Sequence, residues 1–127
     1  MNPENRENSK FTTTSVLSVI EKFSTILAAT TDLNTLYSYC VSLTKDFFEL
    51  DYSTLVLLED SRKELVVKDA DGLSEDMVDS FFLCNGEGLA HLVVKTGQVE
   101  TVEDFRKEDR FEITQIVAEL NVRSAIA

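Results

Sequence analysis

Few residues in this sequence can staple, ligate or bend the chain. Its 127 residues include two cysteines, one histidine, one proline and four glycines. Cys40 and Cys84 have neither the number nor the spacing of a disulfide scaffold or a zinc site, so both read as buried thiols in a reducing compartment. His91 has no second nitrogen or sulfur donor three or four residues away, which removes the usual helical metal-ligand spacing. No metal site is expected, and nothing else in the chain supports haem ligation through His91. Long apolar runs are missing too. None approaches the ~20 residues that cross a bilayer, and the polar, acidic start lacks the pattern of a secretory signal. The expectation is a cytoplasmic protein without membrane contact. Basic residues are scarce: twelve Lys and Arg stand against twenty-three Asp and Glu, a net charge of −11. That balance disfavours nucleic acid and anionic membranes as partners and favours solubility.

What remains is an ordinary globular composition, 43% apolar and 28% charged, with length for one domain and one core. Residues 1–13 read as a disordered leader, rich in Asn and Glu near the start and without apolar periodicity. Thr12 to Ser15 offer several N-cap oxygens for a helix running to about Ala29. Along it Val16, Ile20, Phe23 and Leu27 recur at heptad-like spacing, which suits packing on another helix, within the chain or across a homodimer. Asp32 caps a second helix, Leu33 to Leu50, whose apolar face is read as Leu36, Cys40, Leu43 and Phe47 with Tyr39 and Phe48, Tyr37 looking outward. The period then changes to two. Tyr52–Leu58 and Glu64–Ala70 read as antiparallel strands joined by a polar hairpin. A turn at Asp71 to Ser74, a short acidic helix through Glu75 to Val78 and a brief strand from Phe81 to Cys84 follow.

The most informative stretch comes next. Gly86-Glu87-Gly88-Leu89-Ala90 is a two-glycine turn opening an apolar helix. Gly97, in Thr96-Gly97-Gln98, ends that helix, since glycine adopts the left-handed cap conformation freely. An alternating strand leads through Val102-Glu103-Asp104-Phe105-Arg106 to Asp109-Arg110-Phe111. Glu112 to Asn121 shows helical spacing, and Val122 to Ala127 begins a strand. A lone Gly-x-Gly is a weak phosphate-cradle signal, and Glu87 within it opposes an anion.

In order and spacing these pieces resemble the signature region of GAF domains, the small-molecule-sensing and dimerising modules of signalling proteins. The resemblance covers about Leu17 to Ala127 and implies an α/β (α+β) fold: a mainly antiparallel sheet flanked by helices, with a PAS-like architecture as runner-up. It also implies that the domain, residues 14–127, is C-terminally incomplete, leaving strand edges open to association. A ligand pocket would lie over one sheet face, its walls formed by Leu55 or Leu57, Phe82, Cys84, Leu89, Val99, Phe105, Phe111, Ile116 and Ser124. Asp104, Arg110 and Arg123 would stand at its mouth. A mostly apolar cavity with a few placed polar groups suits a small molecule, although the same side chains would also serve as an ordinary core.

The functional expectation is a non-enzymatic regulatory input domain. It binds a small molecule, dimerises through its first helix, or does both, to control a fused output. A purely structural dimerisation module is the alternative. A third is the GAF-type reductases of free methionine sulfoxide, whose cysteines flank this glycine turn. Phe81 and Ala90 occupy those places here, so that chemistry is not expected. The identity of any cofactor or ligand stays open.

Overall fold

A computed structural model of the chain describes residues 11–61, 64–74 and 88–127, together with the backbone of 82–83. The expected short acidic helix, Cys84 and the Gly86-Glu87 pair lie outside the described residues, as do residues 1–10. The elements are α1 (Thr13–Ala29), α2 (Leu33–Phe48), β1 (Ser53–Glu59), β2 (Glu64–Asp71), β3 (Phe82–Leu83), α3 (Gly88–Thr96), β4 (Thr101–Val102), α4 (Gln115–Glu119) and β5 (Ala125–Ile126). A single 3₁₀ turn, Phe105–Lys107, sits between β4 and α4. Strands β1, β2 and β3 form a sheet in that order, and β4 and β5 form a separate pair. The β2–β3 and β4–β5 pairings are both antiparallel. The chain divides into two compact units, residues up to 55 with 69–73, and residues 56–68 with 74–127.

The first unit is built on the helix pair. Thr12 is the cap of α1: its hydroxyl accepts from the Ser15 amide at 3.1 Å, and its carbonyl accepts from the Ser15 hydroxyl at 2.8 Å. These bonds satisfy groups that a helix start leaves open. The helix therefore opens at Thr13, inside the stretch read as leader. The Phe11 ring, one residue before the cap, packs on Phe47 and Phe48. Asp32 caps α2 as its position suggested, accepting from the Thr35 amide at 2.9 Å and the Thr35 hydroxyl at 2.7 Å. Those two bonds hold the Asp32 carboxyl below its ordinary pKa. At the other end, Glu49 takes the left-handed conformation (φ 53°). Its amide donates to Asp46 and that of Leu50 to Lys45, the paired bonds that close a helix C-terminus. That closure ends α2 at Phe48 rather than Leu50.

The buried face of α2 differs from the one-stripe reading. Val41 is its buried residue. Tyr37 is half-buried, whereas Tyr39 is exposed. Ser38 and Lys45, on the same side as Val41 by helical spacing, reach β2: the Ser38 hydroxyl donates to Asp69 at 2.6 Å, and the Lys45 ammonium lies 3.5 Å from Asp71. Leu36, Cys40, Leu43 and Phe47, the expected face, are half-buried. A helix that serves both a strand and a neighbouring helix needs a wider apolar arc than one stripe. Just beyond β2, Gly72 (φ +89°) lies so close to Asp51 that a Cβ there would collide with the Asp51 carbonyl oxygen.

In the second unit the core contains Leu65, Val66, Val67, Val102 and Phe105, all buried. Side chains alternate across a strand, so three consecutive buried residues mean that both faces of β2 are covered at this point. An ion pair between Lys68 and Glu59 at 2.6 Å ties β2 to β1. The last helix is shorter than its apolar spacing suggested. It spans Gln115–Glu119, and ahead of it the Glu112 carbonyl accepts from the Gly88 amide at 3.0 Å.

Candidate functional site

The signature stretch forms one knot of backbone and charge. Gly88 opens α3 with φ +77°, and a Cβ at this position would stand 2.8 Å from the Thr114 methyl. Thr114 is itself buried, and it sits at the N-cap of α4. The second glycine of the turn is thus required twice, for its backbone sign and for the close approach of α4. Gly97 (φ +67°) ends α3, its amide donating to Val93 at 2.7 Å, and nothing stands where its Cβ would be. Glu100 and Ala127 then exchange two backbone bonds, 2.8 and 2.9 Å, extending the β4–β5 ladder by a residue at one end.

After β4 the chain turns on Asp104. This carboxylate caps the 3₁₀ turn, accepting from the Arg106 amide at 3.0 Å, and takes a two-pronged guanidinium contact from the same residue. Those bonds, with a smaller contribution from the Arg123 charge, hold the Asp104 carboxyl far below the usual carboxylate range. Phe105 is buried, its amide donates to the Arg123 carbonyl at 2.8 Å, and its ring meets Phe111 edge-on at 6.4 Å. Arg110 is the hub. It donates to both Glu108 oxygens at 2.9 and 2.8 Å, to Glu100 at 3.0 Å and to the Thr101 carbonyl at 2.6 Å. The Glu108 carboxyl is pulled down to about 2 by the Arg110 side chain and then by the Arg110 amide. Bidentate guanidinium–carboxylate geometry of this kind fixes orientation as well as energy.

Among the residues expected to line a ligand pocket, the structure separates those in the knot from those on the surface. Phe105 and Phe111 come together, and the Phe105 amide, next to Asp104, donates to the Arg123 carbonyl. Leu57 and Leu89 are half-buried. Val99 is 74% exposed, and Ser124 and Arg123 are exposed. Cys84 and the Phe82 side chain lie outside the described residues. Of these, Phe105 lines a small cavity of this unit, a volume of about 130 Å³ shared with Arg106, Ile113, Val117, Ala118, Asn121 and Val122. In the first unit an open groove of about 270 Å³ runs between Glu21, Lys22, Thr25 and Ile26 of α1 and Leu43 of α2. Both fall below the ~300–1,000 Å³ of a typical small-molecule pocket.

Sequence reasoning missed the roles of Glu108, Thr114 and Phe11. The first had a signal: an arginine flanked by carboxylates two and ten residues earlier can chelate a loop. Thr114 and Phe11 had none, since their contacts depend on tertiary placement. Among the described residues no group of three or more His, Cys, Asp or Glu could hold a metal ion. No described helix is long and apolar enough to cross a membrane.

No protein-family model matches this chain, and no curated protein sequence matches it either. Solved structures do. One is the GAF domain of an Acinetobacter phosphoenolpyruvate-protein phosphotransferase, similar at a TM-score of 0.71 with 20% identity over 80% of this chain. Another is the GAF domain of the phosphoenolpyruvate-protein phosphotransferase from Coxiella burnetii, at 0.73 with 19% identity over 83%. The chain has the GAF fold. That fold, rather than the PAS-like runner-up, accounts for the helix pair preceding the first strand and for the glycine-opened α3. The match spans 63% and 62% of the two solved chains, so this GAF-fold chain aligns with a little under two thirds of each.

Proposed function

We propose that this chain is a regulatory input domain of a signal-transduction protein, dimerising through α1 and responding to a small molecule to control a fused output. The observation that carries the reading is an apolar stripe on α1 within a GAF fold. Leu17, Ile20 and Leu27 are 58%, 55% and 58% exposed, and Val16 beside them is exposed as well. On the adjoining face Val19, Phe23 and Ile26 are half-buried where α1 packs on α2. A helix with two adjacent apolar stripes, one of them packed on α2, has room for a second neighbour on the other. A second copy of the chain fits that stripe, because a two-fold interface needs only a self-complementary surface. Phe23, counted with Val16, Ile20 and Leu27 in the expected interface, would contribute from its edge.

The small size of the two cavities among the described residues favours a second reading, a structural dimerisation module in which Phe105 and Phe111 pack on one another rather than line a ligand site. No catalytic step belongs to either reading. Native mass spectrometry of the purified chain tests both. A dimer with added mass supports ligand sensing, a clean dimer supports the structural module, and a clean monomer overturns the α1 interface.

A further inference from the structure

The helix α1 is the longest described element and is held differently from α2. It has no buried residue. Its Ser24 and Thr25 hydroxyls close back on the Ile20 and Glu21 carbonyls of α1 itself, which leaves those groups no proton to donate to α2. Midway along the seam lies the open groove beside Ile26 and Leu43. The two helices are also capped independently, α1 at its end by the Thr30 amide on Ile26 and α2 at its start by Asp32. By contrast α2 is anchored to β2 through Asp69 and Asp71. Where α1 begins, three rings meet: Phe11 lies 5.2 Å from Phe47 and 5.5 Å from Phe48, and those two stand 5.0 Å apart, edge to face. These are favourable spacings for aromatic pairs.

We propose that Phe11, Phe47 and Phe48 form a clasp that controls whether α1 stays docked on α2, so that α1 is released as a unit while α2 remains on the sheet. Its consequence rests on the α1 reading above. Docked, α1 offers the Val16, Ile20 and Leu27 stripe. Released, it offers Val19, Phe23 and Ile26 too, so whatever pulls on the chain before Phe11 changes the surface available to a second copy. Elements of low local stability are where such switches are found.

Hydrogen exchange read by mass spectrometry on the full chain tests the clasp, with Phe11→Ala, Phe48→Ala and the double variant. Each single variant should accelerate exchange of the α1 amides about tenfold or more, leaving α2 unchanged. The double variant should exchange no faster than either single one, because the rings act as one unit. Phe48→Ala reaches the clasp from α2 and so separates it from any disturbance of the neighbouring Thr12 cap. Unchanged α1 exchange, equal acceleration of α2, additive effects, or an α1 already unprotected in the parent chain would each overturn the proposal. Solution mass is recorded in parallel. Accelerated α1 exchange in a monomer keeps the clasp and removes the dimer reading, whereas a dimer with unchanged exchange does the reverse.

Discussion

The signature knot and the helix pair solve the same problem by opposite means. In residues 88–127 the elements are short and close contacts fix the chain around the buried Val102 and Phe105: Gly88 against Thr114, Asp104 on its own 3₁₀ turn, and Arg110 holding Glu100, Glu108 and a backbone carbonyl. In α1 and α2 the elements are long and self-capped, yet α1 is held through half-buried apolar side chains. Polar knots are brittle, since one wrong atom leaves several groups mispaired. Apolar seams are tolerant and can exchange partners.

The largest expected effect breaks the knot at its glycine. Gly88→Ala places a Cβ against the Thr114 methyl in a left-handed backbone and should cost about 2–3 kcal/mol. Gly97→Ala has the same backbone sign and open space around it, so it should cost about 1 kcal/mol. Urea unfolding of both variants measures the difference, and Gly88→Ala combined with Thr114→Ser should recover part of the loss. Equal costs for the two glycines would mean that the close approach of Thr114 contributes nothing.

The contrast also explains what could be read in advance. Capping was legible in Asp32, because a carboxylate three residues before Thr35 acts locally. Gly97 was legible for the same reason. The fold was legible in the order and spacing of the signature pieces, although overall identity to the solved neighbours is near 20%. The face of α2 was not, since Val41 and Tyr37 become the inner side only once Ser38 and Lys45 meet β2. Nor was the start of α4 at Gln115, ahead of which the Glu112 carbonyl is taken by the distant Gly88 amide. The pocket candidates inherited this weakness: apolar type predicted Val99 as a wall, and its exposure depends on where the chain runs after Gly97.

On the helix side, a charge on the exposed stripe sharpens the comparison. Ile20→Glu with Leu27→Glu places carboxylates at exposed positions, so the monomer should keep its helical circular dichroism while any dimer mass is lost. Phe23→Glu is a poorer probe, since Phe23 is half-buried and its replacement also damages the α1–α2 seam. A variant that stays dimeric with both glutamates in place would move the interface off α1.

The smallest effect is a matter of protons. Glu108 titrates at about 2 when folded, against an ordinary 4.5, because Arg110 donates to its ionised form. A depressed carboxyl contributes stability that is fully present above its unfolded value and is lost as pH falls through the folded one. The knot should therefore loosen between pH 4.5 and about 2, and Glu108→Gln should remove that part of the acid sensitivity. The melting-temperature gap between parent and variant should be widest above pH 5 and close towards pH 2. Carbon-detected NMR of the Glu108 carboxyl reads the cause directly: a midpoint near 2 fits the Arg110 fork, whereas a midpoint near 4.5 would mean that the fork is not held in solution. In that case Glu100 and the Thr101 carbonyl would be left as the holds on Arg110, and Arg110→Lys, which keeps the charge but cannot fork, should then behave like the parent.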